Sequence, residues 1–344
     1  MKKSARSLIV GATVMAAVVA ACGGSPAGSA TDDTQAATSG ESVVITVEPS
    51  AIPAFVAERE GFFGDIDVEV TTVGYEEAES LLLAGQTHIA WMGPLDVAKF
   101  VSEGEEFRYL STAGALNMYN GIVVRAEDGD VYNDVTDLVG KRLGIPGFGT
   151  GTWATFDVFA RSVFDIASPE DDFEIVTADS GALLAMLERG EIDGALLFAA
   201  QSAAGRYMEQ FKTVFSFTEA MQEEYGVPLV VNGPAATREW IEANPDTVDA
   251  IVSGLDQAVA WMKDNPEAFD VDGKYADLGE GDGWHNSEET TAGILALVGE
   301  GEWYRTSNDF TDEWQSAVYE IIQAGEGSLV DSVPPMEEIF ADAG

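Results

Sequence analysis

The 344-residue sequence has one cysteine, two histidines and seven lysines, and each scarcity closes off a class of protein. With Cys22 alone the chain can form no internal disulfide, even in a compartment that would permit one, so its stability must come from a packed core. His88 and His285 stand in neither a Ser/His/Asp nor a His-x-x-x-His context. No catalytic constellation, metal site or cofactor is therefore expected, and His88 is read as structural. Seventeen Lys and Arg against 60 Asp and Glu give a formal net charge of −43, which repels phosphate backbones and excludes nucleic acid as a partner. The acidic residues are spread along the chain rather than gathered in a tail, as on a solvated surface facing a saline or calcium-rich exterior. A cation store would need a calcium-binding loop, and Asp128-Gly129-Asp130 is too short a match. Beyond the first thirty residues there is no run of eighteen apolar residues, so anchoring rather than spanning is expected.

What is present begins with Lys2, Lys3 and Arg6 ahead of an uncharged run from Ser7 to Ala21, the pattern of a signal peptide. It ends in Val19-Ala20-Ala21-Cys22-Gly23, which resembles the bacterial lipobox, where small residues admit the peptidase and the cysteine thiol is acylated. Residues 1–21 then form the signal, Cys22 carries the lipid, and residues 22–41, rich in Gly, Ser, Ala and Thr, form a flexible tether. The expectation is an extracytoplasmic protein held to the bacterial cell membrane through Cys22. The remaining length and the 46% hydrophobic content suit two lobes.

Strand-like apolar runs alternate with helical segments, which predicts an α/β protein with mainly parallel sheets. Strands are expected at residues 42–47, 67–73, 88–92, 121–125, 141–145, 173–177 and 195–198. Helices are expected at 54–60, 76–84, 94–102, 153–164 and 182–189, the last capped by Ser180, and the chain from Trp240 onward reads as largely helical. A weak repeat, Gly85 to Ala90 and Gly190 to Ala195, puts a left-handed glycine between a helix and a buried strand in each half.

In such a fold, loops at the carboxyl ends of strands face the crevice, and helix amino termini there offer unpaired N–H groups. Gly147-Phe148-Gly149-Thr150-Gly151-Thr152 is the strongest such loop. Its glycines admit close approach, its threonines add donors, and the following helix adds partial positive charge, all suited to an anionic group. The predicted ligand-binding residues are Gly149, Thr150, Gly151 and Thr152, with Ser50, Ala51 and Ile52, Met92 and Gly93, and Phe198 and Gln201 at other strand ends. Trp91, Trp153, Asn117 and Tyr119 are weaker candidates. If Glu48 or Asp179 turns into the cleft, a zwitterion or an amine-bearing pyrimidine is favoured over a simple anion.

Four motifs extend this reading. Val56-Ala57-Glu58-Arg59-Glu60-Gly61-Phe62-Phe63 is similar to an A-x-x-x-G-F-F opening. Leu83 to Ala90 and Leu187 to Ala195 are similar to L-A-x-G-x-x-D-I-A, with His88 where an aspartate is usual. Asp137-Leu138-Val139-Gly140-Lys141-Arg142-Leu143-Gly144-Ile145-Pro146 is similar to D-L-K-G-K-x-I-G-V-P, and Gly226-Val227-Pro228 to a G-x-P segment. In this order, from about Val43 to Phe269, they resemble the substrate-binding proteins of ABC importers for taurine, alkanesulfonates, nitrate and thiamine-type pyrimidines. The resemblance implies a two-lobed type II periplasmic-binding-protein (Venus flytrap) fold with a helical C-terminal flank. Lobe one would comprise residues 42–116 plus 230–344 and lobe two 117–229. It implies a binding protein and not an enzyme, a monomer that captures a small anionic or zwitterionic solute and delivers it to an ABC permease and its ATPase. The alternatives are import of a thiamine-precursor pyrimidine or nitrate, or a ligand-sensing lipoprotein that does not transport.

Overall fold

The computed structural model describes residues 42–117 and 119–342; the signal segment, Cys22 and the tether lie outside the described residues. The chain opens with β1 (Val43–Val47), α1 (Ile52–Glu60), β2 (Val68–Thr72), α2 (Tyr75–Leu83), β3 (Ile89–Met92), α3 (Pro94–Ser102) and β4 (Phe107–Tyr109). It continues with β5 (Gly121–Arg125), β6 (Arg142–Ile145), α4 (Gly151–Ser162), α5 (Pro169–Asp172), β7 (Glu174–Thr177), α6 (Ser180–Glu188), β8 (Gly194–Leu197), α7 (Ala199–Tyr207) and β9 (Phe211–Ser216). Then come α8 (Phe217–Glu224), β10 (Gly233–Thr237), α9 (Arg238–Ala243), α10 (Pro245–Asp264), α11 (Ala276–Gly281), α12 (Glu288–Glu300), α13 (Asp312–Ala324) and α14 (Met336–Ile339).

These strands form two five-stranded sheets, ordered β2-β1-β3-β10-β4 and β7-β6-β8-β5-β9. The β-branched run of β1 and the wholly buried Ile89-Ala90-Trp91-Met92 of β3 are covered on both faces, as central strands of a helix-flanked sheet must be. The sheets expected to be mainly parallel are mixed, each with one reversed strand. Four strands of each sheet point the same way, while β10 in the first and β5 in the second run against them, pairing antiparallel with both neighbours. The reason lies in the connectivity: β5 is the first strand after the chain leaves the first sheet and β10 the first after it returns. Each begins where a resident strand ends, Gly233 opposite Met92 and Gly121 opposite Leu197, so each runs the opposite way.

The repeated glycines do what their positions predict. Gly85 after α2 and Gly190 after α6 are left-handed, with φ of 64° and 71°, and β3 and β8 follow. The C-terminal helices pack on both halves of the molecule. One stripe of α10, Ile251, Gly254, Leu255, Ala258, Val259 and Met262, is buried, and α10 lies against α1. Further along, α12 packs on α7 and α13 on α3 and α4. Trp314 of α13 stacks on Tyr109 of β4 with ring centroids 5.8 Å apart and donates its indole N–H to the Pro228 carbonyl at 2.8 Å.

Candidate functional site

The ends of β1, β3, β6 and β8 meet where the chain passes between the sheets. Asn117 bridges Val230, and the Val231 N–H donates to the Leu116 carbonyl at 2.9 Å, so the two connecting segments lie side by side. Asn120, fully buried, ties the first of them to the second sheet. Its amide nitrogen donates to Thr152 Oγ1 at 3.1 Å and its amide oxygen accepts from the Ala199 N–H at 3.0 Å. Ala199 has φ of 47°, a costly conformation for a residue with a Cβ, retained where surrounding bonds over-determine it.

The glycine loop lies against the first half of the molecule. Thr150 caps α4, accepting from the Trp153 N–H at 3.2 Å while donating to the Gly147 carbonyl at 2.9 Å. A Cβ on Gly151 would come within 2.8 Å of Asp96 Oδ2, one on Gly93 within 2.6 Å of the same oxygen, and one on Gly149 within 2.8 Å of Glu76 Oε1. Only glycine at these places lets the carboxyl groups come so close. The Tyr75 hydroxyl donates to Asp96 Oδ2 at 2.6 Å and accepts from the Gly93 N–H at 2.7 Å. Burial raises the pKa of Asp96, and that of Glu79 rises by burial and then by the charge of Asp96.

A second group lies beyond the end of β1. Glu48 Oε1 accepts from Ser50 Oγ at 2.6 Å and from the amide nitrogen of Asn232, just before β10. Asp282, after α11, accepts from the Trp284 indole N–H at 2.8 Å. Burial and then the nearby charge of Glu48 push the Asp282 carboxyl up to about 8, and burial raises that of Glu48. Both keep part of their surface accessible. The Tyr304 hydroxyl donates to the Ser50 carbonyl at 2.8 Å.

Among the sequence-predicted residues, Ser50 therefore joins the Glu48 group, and Gly93, Gly149 and Gly151 join the Asp96 group. Thr152 is linked to Asn120. Ala51, Ile52 and Met92 are buried in the hydrophobic clusters. Phe198 is the residue before α7, and Gln201 lies in its first turn, where a Cβ on Gly283 would stand 2.8 Å from Gln201 Nε2. Asp179 is exposed and serves as the cap of α6, accepting from the Ala182 N–H at 2.9 Å. This corrects Ser180 as the cap, and Ser180 becomes the first helical residue. Trp91 is core, while Trp153 lines a surface groove of about 350 Å³ with Lys99 and Arg161. Tyr119 stacks on Trp303 at 5.5 Å, with Arg206 over its ring, and Asn117 donates to the Glu302 carbonyl. His88 accepts the Val44 N–H at 2.9 Å through Nδ1, a structural role. Sequence reasoning missed Tyr75, Asp96, Asn120, Asn232 and Asp282.

Comparison with known proteins bears on the fold. Over 231 residues the chain is 23% identical to the taurine-binding periplasmic protein of Escherichia coli (strain K12), covering 66% of this chain and 68% of that one. The crystal structure of the periplasmic aliphatic sulphonate binding protein SsuA from Escherichia coli superposes with a TM-score of 0.67 at 12% identity, covering 87% of this chain and 97% of that one. The alkanesulfonate-binding protein SsuA from Xanthomonas axonopodis pv. citri, bound to MOPS, does so with a TM-score of 0.55 at 14% identity, covering 86% and 95%. The fold is thus the two-lobed type II fold of periplasmic binding proteins. The family described as NMT1/THI5 like matches residues 48–269, and the chain belongs to it.

Proposed function

We propose that this protein captures a small organic solute between its two lobes outside the cytoplasmic membrane and delivers it to an ABC permease and its ATPase. The lobes are taken as residues 42–116 plus 230–344 and residues 117–229, tethered as a monomer through a lipid on Cys22. The solute class is taurine- or alkanesulfonate-like, in keeping with the relatives named for those compounds. One observation carries the reading. The carboxyl of Asp96, from the first half of the molecule, rests against Gly151 at the amino end of α4. A sulfonate or carboxylate of a solute would use the same seat, where N–H groups and the helix dipole favour an oxyanion.

Closure of the lobes brings Glu48, Gly93 and Asp96 on one side toward Gly149, Thr152 and Gln201 on the other. The role is taken as binding rather than turnover, in keeping with the relatives named as binding proteins. With an overall charge of −43, the surface repels anions until salt screens it beyond roughly 10 Å, so capture rests on these local groups. Calorimetric titration of residues 23–344, stripped of co-purified ligand, against taurine, alkanesulfonates, nitrate and aminopyrimidines tests the class. Taurine-like compounds are expected to bind at one site; heat from none of the four overturns the assignment.

A further inference from the structure

We infer that the deep end of the cleft is a subsite for a nitrogen bearing N–H donors, formed by Glu48, Asp282 and Asn232, so that the solute carries an ammonium or amino group there. The inference rests on the cleft reading above and deepens it. Glu48 and Asp282 come from segments far apart in sequence, yet Asp282 lies within the field of Glu48 and feels it as repulsion. No ion pair among the described residues uses either carboxylate. The groups that hydrogen-bond them are neutral: Ser50 and Asn232 on Glu48, Trp284 on Asp282. Two buried carboxylates cannot both stay charged cheaply without a cation, so the ligand-free chain holds a proton at Asp282, and a cation that enters with the ligand lets both ionise.

Asn232 gives the independent sign. The residue is fully buried, and with its amide nitrogen committed to Glu48, its Oδ1 has no hydrogen-bond partner. A buried acceptor left unpaired calls for a donor, and turning the amide over would aim that oxygen at the Glu48 carboxyl. Once both carboxyls are ionised, Glu48, Asp282 and the amide oxygen are acceptors only, matching the three N–H bonds of an ammonium. A bound calcium ion would ask for six to eight oxygens, and among the described residues no three carboxylate, histidine or cysteine groups come together in a metal-binding cluster.

The test is thermal unfolding of the ligand-stripped mature chain at pH 8 with taurine, β-alanine, ethanolamine, an aminopyrimidine, ethanesulfonate or calcium chloride. At least one amine should raise the midpoint, and ethanesulfonate should bind at least tenfold more weakly than taurine. Glu48→Gln and Asp282→Asn should each weaken the amine at least tenfold while raising the midpoint of the ligand-free chain, which separates lost recognition from lost folding. The inference falls if ethanesulfonate matches taurine, if both variants keep wild-type amine affinity, or if no amine moves the midpoint, with or without a response to calcium. Taurine binding that is lost in Gly149→Val but intact in Glu48→Gln would refute the subsite and leave the cleft reading standing. The reverse pattern would keep the subsite and refute the glycine loop.

Discussion

At the scale of single residues, buried groups divide into those already paired and those held for a partner. Asn120 is of the first kind: it satisfies the strained Ala199 N–H and Thr152 at once. Asn120→Ala leaves a buried donor unpaired and should cost about 1–3 kcal/mol, read as a lower urea midpoint with unchanged slope. Asp282 is of the second kind, its carboxyl pushed up to about 8 in the folded state, against about 4 in an unfolded chain. Between those values the folded chain holds a proton that the unfolded chain has released. Stability of the ligand-free protein therefore falls as pH rises through that window and levels off above it. Denaturation at pH 5, 7 and 9 should show this fall, and Asp282→Asn should make it shallower, the remainder coming from Glu48, Glu79 and Asp96, whose carboxyls burial also raises. A wild-type profile as flat as the variant's would mean that Asp282 is not held in the protonated state.

At the scale of elements, the amino end of α4 carries the most consequence. Thr150→Ala removes the cap that fixes the loop and should cost about 1 kcal/mol, seen in thermal unfolding. Asp96→Ala empties the seat that a solute oxyanion would take and removes a like charge, so sulfonates should bind several-fold more tightly by calorimetry. Weaker binding would mean that Asp96 holds the ligand rather than standing in for it. Much of this element was legible in sequence, because glycines followed by threonines between a largely buried strand and an apolar-periodic helix have few other uses. β10 was not legible: Gly233-Pro234-Ala235-Ala236-Thr237 lacks alternation and contains two residues that usually break strands, and only its neighbours β3 and β4 make it a strand. Asp282 was also hidden, since it follows a six-residue helix far from any strand end. The long-range fold alone brings it beside Glu48. Asp96 read as an ordinary acidic residue of a first helical turn, and its closeness to Gly151 depends on how α3 meets α4.

At the scale of the whole molecule, two sheets are joined by adjacent crossings, and C-terminal helices pack on both halves. The sequence motifs anticipated the two-lobed fold because they mark helix-to-strand turns, which are local. They could not set the direction of β5 and β10, which follows from the way the chain enters each sheet. The formal charge of −43 repels anions at long range, so under the proposed function recognition falls to the local groups at the strand ends. The measurement that bears most directly on capture in the cleft is calorimetry of the ligand-stripped mature chain with taurine, in parallel with Gly149→Val. Gly149 is exposed, and an added side chain there meets only the end of Glu76, so the variant should fold as the parent does. One-site binding that drops at least a hundredfold in Gly149→Val is the predicted result; taurine binding of equal strength in both proteins would contradict it.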